Sequence, residues 1–140
     1  MNDLAELIDC MIYALNGCGN SCTFAQLISE LEAVGVGTTG DHELVVGPYN
    51  IVLWSCLSAP VIDAIRQLQK QGRISVVPCE TLTYAIDGKI LKLPIATEAE
   101  IYDSPHWCPV LVSTEPLYKR IARRMRDELK ATEVTHGPVR

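Results

Sequence analysis

SAPVIDAIRQLQKQGRISVVPCETLTYAIDGKILKL, residues 58–93, is the stretch whose reading decides the fold. Ser58 suits a helix N-cap, and Pro60 falls in the first turn, where a missing N–H costs little. Val61, Ala64, Ile65 and Leu68 recur at helical spacing and leave Asp63, Arg66, Gln67 and Lys70 on the opposite face. Gly72 fits a helix C-terminus. Residues 73–77, 82–86 and 89–93 then read as three short extended runs. Asp87-Gly88 between the last two is a two-residue hairpin signal. The stretch predicts a helix running into a small hairpin.

Upstream, Leu4, Leu7, Ile8, Met11, Ile12 and Leu15 fall on one arc of a helix that Asp3 or Asn2 can cap and Asn16-Gly17 stops. Breakers fill residues 17–22. A second helix is expected over residues 23–34, with Phe24, Leu27, Ile28 and Leu31 inward and Gly35 and Gly37 at its end. Residues 43–46 and 51–54 are apolar and β-branched around Gly47-Pro48-Tyr49-Asn50, which favours a hairpin. The alternative is a short helix capped by Asn50 and ending at Cys56.

Downstream, residues 96–109 read as a connecting loop with acids at Glu98, Glu100 and Asp103, and with Trp107 packed on the body. Residues 109–113 fit a short edge strand with a proline at its start. A last helix begins near Glu115-Pro116. Leu117, Ile121, Met125 and Leu129 repeat every four residues along it, with Tyr118 and Ala122 widening the stripe. Lys119, Arg120, Arg123, Arg124, Arg126 and Lys130 occupy the other face. From residue 132 the tail loses periodicity.

Helix, helix, strand-like segment, helix and hairpin together resemble a winged helix-turn-helix domain over about residues 3–95. The most specific part is the amphipathic helix ending in Gly72-Arg73-Ile74 and the run Tyr84-Ala85-Ile86-Asp87-Gly88-Lys89-Ile90-Leu91. The resemblance implies an α+β fold with a small antiparallel sheet over residues 1–95. Residues 96–140 would supply a loop, a short strand and a basic helix packed on that domain or dimerising. In that family the helix before the wing lies in the DNA major groove and the wing touches phosphate or the minor groove. The matching positions are Arg66, Gln67 and Lys70 on the helix, Arg73 at its end, and Lys89 and Lys92 on the wing. Arg and Gln can read guanine and adenine edges, while Lys suits phosphate. Two departures stand out: some 20 residues separate the second and third helices, and the domain is only mildly basic. Arg120, Arg123 and Arg124 of the last helix would add phosphate contacts.

The charge distribution bears on partners. Residues 1–65 hold eight acids and no Lys or Arg, a charge of −8; all twelve basic residues follow, against nine acids, a charge of +3 that completes the net −5. One part can therefore approach an anion and the other is repelled by it. This supports duplex DNA as the partner of a regulatory or mobile-element protein that dimerises through its terminal helices. The alternative is a protein–protein module whose acidic first half engages a basic partner, as an inhibitor would.

At 140 residues and 48% hydrophobic content, the chain has the size and composition of one globular domain. No apolar run approaches the roughly 18 residues of a membrane span, and the last helix lacks Trp or Phe on its apolar face, which argues against a membrane partner. The first residues lack the basic start and apolar core of a signal peptide, so the expected compartment is the cytoplasm, with the six cysteines as free thiols. Cys18 and Cys22 are spaced as a ligand pair, and His106 with Cys108 could complete a zinc set, but nothing in the sequence brings the two pairs together. No P-loop, dinucleotide fingerprint or nucleophile elbow occurs. His42 between Asp41 and Glu43 reads as an exposed polar turn, and no catalytic residue or cofactor is assigned.

Overall fold

The computed structural model describes residues 3–97, 100–114, 125, 126, 128 and 129. The elements are α1 (Leu4–Gly17), β1 (Ser21–Thr23), α2 (Phe24–Ala33), β2 (Thr39–Val46), β3 (Ile51–Leu57), α3 (Ala59–Lys70), β4 (Ser75–Pro78), α4 (Thr81–Ile86), β5 (His106–Trp107) and β6 (Val110–Ser113). A 3-10 turn, Gly47–Tyr49, links β2 to β3. The fold is mixed α+β. Two three-stranded sheets form, ordered β1-β6-β4 and β2-β3-β5. The first is antiparallel throughout; in the second, β3 pairs antiparallel with β2 and parallel with β5.

The first three helices form where apolar residues repeat at helical spacing. Leu7, Ile8, Met11 and Leu15 of α1, Phe24, Leu27, Ile28 and Leu31 of α2, and Val61, Ala64, Ile65 and Leu68 of α3 are all buried in one core. Asp3 caps α1 by accepting from the Ala5 amide, and Thr23 caps α2 by accepting from Gln26. At the end of α3 the Gly72 and Arg73 amides donate back to the Gln69 and Leu68 carbonyls, with Gly72 at φ +69°. This two-bond closure needs a left-handed residue, which glycine supplies without strain.

Four expectations are corrected. Residues 82–86 form α4, not a strand. Leu82 and Ile86 lie one turn apart on the solvent side of this helix, while Tyr84 between them points inward and is buried. The alternation that suggested a strand face thus belongs to a single inward tyrosine on a short helix. Asp87-Gly88 is not a hairpin turn: the Gly88 and Lys89 amides donate to the Ala85 and Tyr84 carbonyls, with Gly88 at φ +78°. The same left-handed glycine that suits a hairpin turn also ends a helix. Residues 89–93 form no strand; Leu91 and Leu93 pack against the core instead. Finally, β6 lies between β1 and β4 rather than at an edge. Pro109 stands just before it and uses its carbonyl to accept from the Cys79 amide. The expected hairpin over residues 43–54 is present as β2 and β3.

Tyr84 ties these parts together. Its hydroxyl donates to the Val110 carbonyl at 2.6 Å and accepts from the Phe24 amide at 3.0 Å. Its ring lies 5.1 Å from that of Trp54 on β3 and 5.1 Å, edge-on, from that of Trp107 on β5. The side chain therefore joins α2 and the first sheet through its oxygen, and the second sheet through its ring. Burial pushes its pKa up, so the phenol remains neutral and able to donate. Tyr84→Phe would orphan a buried N–H and a buried carbonyl. It is expected to cost about 2–4 kcal/mol in urea unfolding, with the native secondary structure retained in water.

Candidate nucleic-acid interface

Helix α3 places its side chains by its period. The buried stripe fixes the opposite face outward, so Asp63, Arg66 and Lys70 are exposed and Gln67 is half-buried. Arg73 follows the helix stop, is exposed, and reaches the Gln71 side-chain carbonyl at 3.5 Å. Among the described residues none of Arg66, Lys70, Arg73, Lys89 and Lys92 forms an ion pair with an acid. His42 Nε2 lies 3.6 Å from the Asp41 carboxylate, exposed as the sequence suggests for this trio.

The start of α3 is held from outside the helix. Ser58 occupies the N-cap position, yet its hydroxyl donates to the Gly37 carbonyl at 2.9 Å instead of capping the helix. Its amide donates to the Thr38 carbonyl. Gly40 on β2 passes so close that an added Cβ would stand 2.5 Å from the Leu57 carbonyl oxygen. The β2–β3 hairpin is therefore clamped to the N-terminal end of α3.

The structure divides the expected cations. Arg66, Gln67 and Lys70 share one helix face, with Arg73 at its exit. Lys89 instead lines a separate groove of about 460 Å³ formed by α2, the β2–β3 hairpin and residues 88–91, to which α3 contributes nothing. Glu32 faces this groove and accepts from Thr38 at 2.7 Å. Lys92 is exposed on the segment that follows. Arg120, Arg123 and Arg124 lie outside the described residues, as does most of the expected last helix; Met125, Arg126, Glu128 and Leu129 are helical.

Among the described residues no three His, Cys, Asp or Glu side chains converge as a metal site. Cys22 is buried beside Cys18, and burial, with Cys18 adding to it, pushes its thiol well above the ordinary value. That disfavours the thiolate a metal requires. His106 stacks on Tyr102 at 3.9 Å and sets Nδ1 2.8 Å from the Ser104 carbonyl. Burial also raises the Cys108 thiol. All six cysteines are free.

Two features escaped sequence reasoning. Asp87 accepts from the Thr23 hydroxyl, tying the end of α4 to the start of α2; its place in an Asp-Gly pair pointed to a turn instead. Cys56 is exposed on the 460 Å³ groove at φ +59°, where the β2–β3 register slips so that both Thr39 and His42 lie opposite Leu57. No residue type announces such a bulge when the left-handed position is not glycine.

No protein-family model, curated protein or solved structure matches the chain.

A side chain at the Cys56 conformation costs energy that glycine does not pay, partly offset by glycine's greater freedom when unfolded. Cys56→Gly is expected to raise stability by about 0.5–1 kcal/mol, read as a higher urea midpoint at unchanged slope.

Proposed function

We propose that this chain is a winged-helix protein that binds duplex DNA through the outer face of α3. The supporting element order is α1, β1, α2, α3, β4 and β6, with β6 between β1 and β4 in one antiparallel sheet. Helix α3 precedes the β4–β6 pair, as the DNA-contacting helix of a winged helix precedes its wing. The chain departs from the simple pattern twice: the β2–β3 hairpin separates α2 from α3, and residues 79–109, with α4 and β5, stand where a short wing would. Lys89 and Lys92 fall in that long connection.

One observation carries the reading. Arg66, Lys70 and Arg73 are exposed on α3 and its exit and are paired with no acid among the described residues. A solvated cation not engaged by a neighbouring carboxylate is available to a phosphate, and Gln67 between them can meet a base edge. A second reading, contact with a basic protein partner, rests on the absence of Lys and Arg from residues 1–65.

Fluorescence-anisotropy titration with random duplex DNA tests the proposal. Three phosphate contacts from α3 give a log–log salt slope near −3, and the slope falls by about 1 for each of Arg66→Ala and Lys70→Ala. Asp63 shares the α3 face and repels phosphate, so Asp63→Asn is expected to tighten binding. Absence of binding at low salt overturns the DNA reading and favours the basic protein partner.

A further inference from the structure

The outer side of α1 and α2 carries a second groove, of about 350 Å³, that the DNA reading does not use. Cys10, Tyr13 and Ala14 of α1 and Val34 at the end of α2 line it, with Asp9 and Glu30 as acids of the lining. Tyr13 is 78% exposed and Val34 55%, so a tyrosine ring and a valine face water side by side on an acidic surface. Neither Tyr13 nor Val34 belongs to the buried core, whereas Ala14 and Cys10 beside them touch it.

The chain itself contains a segment of matching chemistry. Leu117, Ile121, Met125 and Leu129 repeat every four residues, and Lys119, Arg120, Arg123, Arg124, Arg126 and Lys130 accompany them. Met125 and Leu129 are helical and expose 57% and 64% of their surface, so this apolar stripe is uncovered at the two described positions. An apolar floor with acids meets an apolar stripe with cations, and the two have opposite charge where residues 1–65 hold no cation at all.

The chain's exit point brings them within reach. The Thr114 amide donates to the Asn20 carbonyl, just past the end of α1, and Gly17 of that same helix end lines the groove. The last described residue of this run, Thr114, therefore lies near the groove. In a twofold dimer each copy can extend this helix across the α1–α2 face of the other, so that both grooves are filled at once.

We infer that the α1–α2 groove receives the basic C-terminal helix of a second copy of this chain, forming a homodimer by reciprocal helix docking. The contact buries Tyr13 and Val34 against Met125, Leu129 and the rest of their stripe. Asp9 and Glu30 meet the arginines that flank it.

Sedimentation velocity on the full chain at micromolar concentration tests this. The expected mass is twice the 15.4 kDa of one chain. Tyr13→Glu, Val34→Glu and Met125→Glu each change an exposed position and should leave the fold intact, verified by circular dichroism. Each is expected to weaken the dimer at least about tenfold, the equivalent of 1.4 kcal/mol. Glu30→Lys should weaken it as well, and raised salt should do the same to the unmodified chain. A monomeric full chain overturns the inference, whether the groove is then bare or covered by the chain's own helix. A dimer indifferent to the groove variants overturns it equally. Mixing a Val34→Cys chain with a differently tagged Ile121→Cys chain gives a third readout: an inter-chain disulfide mapped to positions 34 and 121, and not to the native cysteines, supports the docking, and an intra-chain one in the double variant with no inter-chain product contradicts it.

Discussion

The Tyr84 side chain is the constraint on which the rest of the structure depends. A phenol buried among Phe24, Trp54, Trp107 and Val110 brings a large apolar surface and one polar atom into the core together. The polar atom is used twice, as donor to β6 and as acceptor from α2, so burying it leaves nothing unpaired. The ring packs between two tryptophans that belong to the other sheet. Without it the two sheets would share less of a common core, and β6 would lose its tie to α2. Trp107 reinforces the junction by donating from its indole nitrogen to the Leu53 carbonyl.

From that junction outward, the β2–β3 hairpin acts as a brace for α3. Its strands are clamped near Gly40 and Leu57, and Ser58 gives up its capping role to bond the chain at Gly37 and Thr38. The helix is consequently held at its N-terminus by the hairpin, along its length by the core stripe, and at its C-terminus by the Gly72 closure. A helix fixed at three places presents Arg66, Gln67 and Lys70 from a rigid base. Asp9 and Glu30 line the α1–α2 groove, while Arg66, Lys70 and Arg73 are exposed on α3 and its exit.

How much of this is legible in the sequence follows from the range of the interactions. α1, α2 and α3 are legible because their apolar period and glycine stops are local. The β2–β3 hairpin is legible from β-branched residues around a Pro-Asn turn. α4 is not, because Leu82, Tyr84 and Ile86 alternate as a strand would, and only the distant Phe24, Trp54 and Val110 decide that Tyr84 alone turns inward. The central place of β6 is equally non-local: Leu111 pairs with Val77, 34 residues away, and Val112 with Cys22, 90 residues away. For the site, the outward face of α3 follows directly from its stripe, so Arg66, Gln67 and Lys70 could be named in advance. Lys89 could not be assigned to a surface, because its position depends on α4 being a helix and on residues 89–93 leaving the sheet.

Chemical-shift mapping of the isotopically labelled protein against a random duplex tests the central claim most directly. The expected perturbations concentrate on the amides and side chains of Arg66, Gln67, Lys70 and Arg73, with α1 and α2 unmoved, and they fade as salt rises. Perturbations that bypass α3, or none at low salt, would contradict the proposal that this helix meets DNA.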